Sequence, residues 1–412
     1  MFDLIVRGGV LPDGTQADIA IAEGRIAAVE AGITAEAREV IDATGKLVSP
    51  PFVDPHFHMD ATLSYGTPRV NQSGTLLEGI ALWGELKQLQ SKDDIVARAL
   101  TYCRQAVAKG VLAIRSHVDV TDPSFRTVEA LLEVRARVKD VLELQLVAFP
   151  QDGWYRADHG HDQVIRALDA GVDVVGGIPH FERTMHDGAN SVAAACRIAA
   201  ERGLRVDLHC DESDDPLSRH IETLANETRV YGLQGRTTGS HLTSMHSMDN
   251  YYVAKLIPLI AEAEVAAIPN PLINITLQGR MDTYPKRRGL TRVPELRAAG
   301  VTVAFGQDCV RDPWYPLGSG DMLDVAHMGL HVALMTDRAG MRAAFDMVTA
   351  TPAQILGVDF GLAPGQRGSL VVLDAPDPIE ALRLRPARLC VVSNGRVVAR
   401  TAPAATEVLV DL

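Results

Sequence analysis

LVSPPFVDPHFHMD, residues 47–60, carries an apolar strand straight into two histidines, His56 and His58, one residue apart. In an extended strand, residues i and i+2 project to the same face. Both imidazoles therefore reach one point beyond the end of the run, and two neutral imidazoles meeting at a point form half of a metal site. A polar strand end with two hydrated histidines would read the same locally, so the rest of the chain decides.

Seven further runs of the same kind follow: GVLAIRSHVDV (110–120), LELQLVAFPQ (142–151), VDVVGGIPHF (172–181), LRVDLHCDE (204–212), GRTTGSHLT (235–243), VAAIPNPLIN (265–274) and VTVAFGQDC (301–309). Helical stretches separate them, among them TLLEGIALWGELKQLQ (75–90), SVAAACRIAAERG (191–203) and VPELRAAG (293–300). The first of these opens on a Thr75–Glu78 capping box. Near-continuous apolar strands followed by amphipathic helices predict a parallel sheet, and eight repeats predict an α/β fold closed as a (β/α)8 TIM-like barrel over residues 51–360.

Both ends read differently. FDLIVRGGVL, ADIAIAEGRIAAV and REVIDATGKLVSP near the start, and GSLVVLDA and RLCVVSNGRVVAR near the end, alternate short apolar runs with turns. The Asn394-Gly395 pair is a tight-hairpin signal. Each segment is too small to bury a core alone, so residues 1–50 and 361–412 are expected to join in one small β-sandwich domain.

Composition narrows the function classes. The 412 residues are 47% hydrophobic and 22% charged, with a net charge of −12. A large core is affordable, and a general affinity for nucleic acid or an anionic membrane is disfavoured. The one basic cluster, Lys286 to Arg292, reads as a solvated loop or helix start. No window approaches the roughly eighteen apolar residues of a membrane span, and MFDLIVRGG has no secretory pattern. A cytoplasmic protein with no membrane or nucleic-acid partner is expected. The five cysteines are scattered, without a CxxC pair, and are expected to be reduced thiols.

The barrel runs end in chemistry-bearing residues: His56 and His58; His117 and Asp119; Gln151; His180 and Glu182; His209, Asp211 and Glu212; His241; Asn270 and Asn274; Gln307, Asp308 and Cys309. In a barrel of this kind the carboxyl ends of all strands open onto one face, where active sites lie. The expected ligands of one divalent ion are His56, His58, His209 and Asp308, a nitrogen and oxygen set suited to Zn(II) or Fe(II). Such an ion brings the pKa of a bound water down to about 7. Glu212, three residues after His209, is placed to carry protons, and His241 to stabilise developing negative charge. Asp308 can also accept a proton, as a carboxylate beside that water. These roles read as hydrolysis.

The motifs PHFHMD, NQSGTLLEGI, SHVDV, VAFPQDG, VVGGIPHFE, HCDESDD, SHLTSMHS, NPLINITLQGRMDTYPKRRGLTRV and DPWYPLGSGDML resemble the amidohydrolase superfamily, and within it the bacterial cytosine deaminases, from about residue 50 to 335. The resemblance implies the same four ligands, Glu212 as proton shuttle and His241 beside the attacking nucleophile. It further implies that Gln151 hydrogen-bonds the pyrimidine ring edge and that Trp314 lines the substrate pocket. Members with two metals commonly bridge them with a lysine at the end of the fourth strand; VDVVGGIPHFE has none, which implies a single ion.

The chain departs from the family after the eighth strand, where Gln307, Asp308 and Cys309 replace the usual His-Asp-Asp. The ligand position survives, and the second carboxylate, near carbon 5 of the pyrimidine, becomes a thiol. Cysteine in such a place behaves as a small apolar group, so the pocket is expected to admit a methyl there. The expected activity is deamination of cytosine and 5-methylcytosine as free bases. Alternatives are deamination of a triazine or isoguanine, and a catalytically silent base-binding barrel; the last would have lost a ligand or Glu212, and none is lost. Barrels of this kind often associate, and a homo-oligomer is compatible with the sequence.

Overall fold

The structure is a computed structural model that describes residues 1–410. The final two residues of the expected 361–412 segment lie outside the described residues. Five strands open the chain, β1 to β5 (Phe2–Val10, Gln16–Ala22, Arg25–Glu30, Ala37–Asp42, Leu47–Ser49). Seven follow in the middle, β6 to β12 (Phe52–Phe57, Val111–Asp119, Glu143–Phe149, Val174–Gly177, Arg205–Cys210, Thr237–His241, Ala266–Ile268), and three close it, β13 to β15 (Leu370–Leu373, Arg388–Ser393, Arg396–Arg400).

The strands of both ends form one hydrogen-bonded sheet in the order β15-β14-β13-β5-β1-β2-β3, with β4 also paired to β1. Alternate apolar residues of these strands, including Leu4, Ile19, Val48, Leu370 and Val392, meet in one buried cluster. A period-2 pattern puts them on one face. Asn394 and Gly395 carry φ of 50° and 76° in the β14–β15 hairpin, the left-handed pair that a two-residue hairpin turn requires.

Strands β6 to β12 form a parallel sheet in consecutive order, with helices between them. Among the described residues the expected eighth strand does not form a ladder, and the parallel sheet has seven strands. Residues 301–309 contribute isolated parallel bridges, Ala267 to Val303 and Phe57 to Asp308. They still bond to both neighbours: Ala304 N–H donates to Ala267 O, Asp308 N–H to His56 O, and His58 N–H to Asp308 O. Between these contacts, Val53 and Phe305 give their N–H groups to Val348 and Met347. That inserted segment interrupts a continuous ladder at the base of the closure. Asp54 fastens the seam from inside, its fully buried Oδ1 accepting from Gln307 N–H at 3.0 Å and His56 N–H at 3.3 Å.

Strand β6 itself is irregular. Its register against β7 shifts between Asp54 and Phe57, where Pro55 has no N–H to give to a ladder. The helix Leu76–Leu89 begins as expected at Thr75, whose hydroxyl accepts from Glu78 N–H, but only half of the capping box forms. The Glu78 carboxylate reaches further back, to Ser73 N–H, Gln72 N–H and Arg69. Among the described residues all five cysteines are free and buried, and no helix is long and apolar enough to cross a membrane.

Candidate active site

The carboxyl ends of the barrel strands bring His56, His58, His209, His241, Glu212 and Asp308 together, although they span more than half of the chain. His58 Nε2 stands 2.9 Å from His209 Nε2. Asp308 Oδ1 lies 3.5 Å from His56 Nε2 and 3.4 Å from His58 Nε2. Asp308 and His241 both hold left-handed backbone, at φ of 67° and 70°, a conformation that costs a non-glycine residue energy and clusters at functional sites. Here it turns each side chain from the end of its strand into the cup.

A divalent ion fits this donor set. His56 Nε2 is fully buried and has no hydrogen-bond partner, a cost of order 1–3 kcal/mol that a ligand would remove. His56, His58 and His209 each offer a ring nitrogen within one small cluster, as do His56 and His241 with an Asp308 oxygen. Burial lowers His58 to about 4, and burial with the neighbouring histidines takes His209 well below its ordinary value. Both rings are therefore neutral at neutral pH, the form that ligates. Burial alone would raise Asp308, but the surrounding histidines, His56 first, outweigh it and hold the carboxyl ionised.

Glu212 behaves oppositely. Burial, and then the charge of Asp308, push its carboxyl well above the usual range. The shift favours its protonated form, and its Oε1 lies 3.4 Å from His241 Nδ1. The two carboxyls of the cup are thus driven in opposite directions by their environments.

The cup opens into a pocket of about 310 Å³ lined by His58, His209, His241, Glu212 and Asp308 together with Gln151, Cys309 and Trp314. Every expected site residue except His56 faces this space, and His56 lies beneath it. Cys309 is buried in an apolar cluster with Trp314, Ile273 and Leu277. Burial, with Asp308 and Asp312 beside it, raises the thiol well above its ordinary value. Cys309 is thus a neutral, weakly polar wall. Gln151 is buried at the end of β8.

A family model described as the amidohydrolase family matches residues 39–399. The chain belongs to the amidohydrolase family. A solved 5-methylcytosine deaminase from Klebsiella pneumoniae, liganded with 5-fluorocytosine, is 41% identical and superposes with a TM-score of 0.95 over 98% of this chain and 99% of that one. The N-isopropylammelide isopropyl amidohydrolase of Pseudomonas sp. strain ADP is 29% identical over 97% of this chain and 98% of its own length. A pterin deaminase of Rhizobium rhizogenes is 31% identical over 94% of this chain and 89% of its own length. The protein is a hydrolase of carbon–nitrogen bonds.

Other strand-end residues of this amidohydrolase support the site from outside it. Glu182 accepts from Tyr155 and Arg156 N–H, holding the loop that follows Gln151. Asp211 accepts from Ser218 Oγ, His220 N–H and Ile221 N–H at the start of the helix His220–Val230. Asp119 accepts from Trp83 Nε1 and from the buried Lys87, which also pairs with Asp152 at 2.6 Å. That clamp ties the helix Leu76–Leu89 to the loops beside Gln151.

Three features of the amidohydrolase site depend on tertiary contacts. Leu76 reaches the pocket from the covering helix. Gly79 lets the Trp314 ring lie against that helix, since a Cβ there would stand 2.2 Å from Trp314 Cδ1. Asn274 turns its Nδ2 to His241 Nδ1 at 2.9 Å while its Oδ1 accepts from Asn270 N–H at 2.9 Å, so the amide orientation is fixed. The Asn270 and Asn274 pair was visible as strand-end polarity; their attachment to His241 was not.

Proposed function

We propose that this amidohydrolase is a hydrolytic deaminase of free cytosine-type bases, converting cytosine to uracil and 5-methylcytosine to thymine with release of ammonia. The observation that carries the reading is one pocket in which the neutral Cys309 thiol stands beside Asp308 and which Gln151 and Glu212 also line. The 41% identity to a 5-methylcytosine deaminase over nearly the whole chain supports it.

The proposed ligands of one divalent ion, Zn(II) or Fe(II), are His56, His58, His209 and Asp308; when bound, the ion supplies a nucleophilic water near neutral pH. Gln151, with both a donor and an acceptor on one amide, matches a ring carbonyl next to a ring nitrogen. Glu212, protonated at neutral pH, gives its proton to the ring nitrogen beside the carbon under attack. The amidine is thereby polarised, and the resulting carboxylate takes a proton from the attacking water and passes it to the amino group; as ammonia leaves and the carbonyl forms, the remaining hydroxyl proton returns to Glu212 and restores its acid form. His241, neutral and buried, faces the developing charge. Trp314 and the apolar cluster around Cys309 exclude water from the carbon-5 side.

The test is an ammonia-release screen across cytosine, 5-methylcytosine, isoguanine, creatinine and aminotriazines. Turnover of the two cytosines well above the rest is expected. A preference for an aminotriazine would move the assignment toward the N-isopropylammelide relative.

A further inference from the structure

His56 has two ring nitrogens with different surroundings. Nε2 faces Asp308 at 3.5 Å and has no hydrogen-bond partner. Nδ1 meets a single ring atom, His117 Nε2, at 3.1 Å. Both residues are fully buried, and His117 comes from the second barrel strand, β7. Asp207 belongs to the same cluster, but no hydrogen bond joins it to His56: its Oδ1 lies 3.9 Å from His117 Nε2 and accepts from Ser240 Oγ, and its Oδ2 accepts from Arg115 Nη1.

A neutral imidazole that offers Nε2 as a lone pair must carry its proton on Nδ1. That proton needs an acceptor, because ligating histidines are oriented by the hydrogen bond of their second nitrogen. Of the two ways to share one proton between His56 Nδ1 and His117 Nε2, one puts the His56 proton on Nε2 and blocks ligation. The other has His56 Nδ1–H donating to the His117 Nε2 lone pair.

We propose that His117 is a positioning residue for the metal centre: it accepts the His56 Nδ1 proton and so holds the Nε2 lone pair toward the ion. The proposal rests on the reading of His56 as a ligand. It assigns no contact between His117 and substrate, since His117 lies behind His56 and not on the pocket wall.

The experiment compares zinc affinity, by competition with a chelator, in the purified full-length protein and in His117→Leu and His117→Gln. Leucine fills space without accepting a proton, whereas the glutamine amide oxygen accepts one. Leucine is expected to weaken zinc binding about 10–100-fold, the usual scale for a lost outer partner, and glutamine to restore it to within a few-fold of native. Cobalt(II) absorption spectra, expected to be native-like in His117→Gln and altered in His117→Leu, give a readout independent of activity. If His117→Leu does not fold, the similarly sized pair His117→Gln and His117→Met repeats the comparison. Equal zinc affinity in the accepting and non-accepting variants, whether both native-like or both weak, overturns this proposal alone. A native protein that binds no zinc or iron overturns the metal reading and this proposal with it.

Discussion

Glu212 Oε1 stands 3.4 Å from His241 Nδ1, and both side chains are buried. Burial, and then the charge of Asp308, push the Glu212 carboxyl well above its ordinary range and favour its protonated form, as the proposed proton donor requires. Glu212→Gln keeps the shape and removes the transferable proton. Metal content by elemental analysis is expected to stay near native, with kcat lower by about 100-fold or more. Turnover close to native would remove Glu212 from the proton pathway.

Cys309→Asp places a carboxylate where the structure has a neutral thiol packed against Trp314, Ile273 and Leu277. Desolvating that charge against a methyl costs several kcal/mol, whereas a buried methyl contributes only about 0.8 kcal/mol. The electrostatic effect therefore decides the outcome. The ratio of kcat/KM for 5-methylcytosine over cytosine is expected to fall by at least about tenfold, as read from steady-state kinetics. An unchanged ratio would reduce Cys309 to a packing residue.

Gly79→Ala pits two effects against each other. Alanine in a helix interior is worth about 0.5–1 kcal/mol over glycine. Here its methyl would stand 2.2 Å from Trp314 Cδ1 and 2.5 Å from Nε1, and overpacking of this kind costs about 1–3 kcal/mol. The clash wins: a lower unfolding midpoint and a raised KM are expected, because Trp314 is part of the pocket wall. A stabilised protein with unchanged KM would show that the ring moves aside freely.

The pH dependence of metal retention follows from the depressed histidines. An ordinary imidazole near 6.5 loses a metal to protons as pH falls through that value, but burial takes His58 to about 4. A ligand whose folded pKa is lowered stays neutral, and competent, until pH falls toward that lower value. Metal content after dialysis is expected to be level from pH 7 to about 5.5 and to fall as pH approaches about 4. Half-loss near pH 6.5 would mean the rings are solvated.

The convergence of these residues is legible because barrel topology does the assembling. Apolar strands ending in His56 and His58, His209, His241 or Asp308 can meet only where their carboxyl ends open, so sequence order sufficed to group residues 250 positions apart. The amidohydrolase motifs added Gln151 and Trp314, and the pocket contains both. What stayed hidden depended on tertiary approach. Gly79 reads as an ordinary weak spot in a helix until Trp314 is seen lying on it. His117, Asp119, Glu182 and Asp211 carry the same residue types as the pocket wall, and only their hydrogen bonds distinguish supports from site. The apolar run of residues 301–309 reads as an eighth strand, but only isolated bridges form there, because Met347 and Val348 from a distant segment take the N–H groups of Phe305 and Val53.

A neutral pocket wall beside Asp308 is proposed to let this amidohydrolase accept the methylated base. A methyl worth about 0.8 kcal/mol stays below the 1.4 kcal/mol that makes a tenfold ratio. The direct test is kcat/KM of the native protein for 5-methylcytosine and for cytosine, by ammonia release under identical conditions. The account predicts turnover of both bases, with efficiencies within about tenfold of one another or in favour of 5-methylcytosine. Turnover of cytosine with none of 5-methylcytosine, or of neither base, would contradict it.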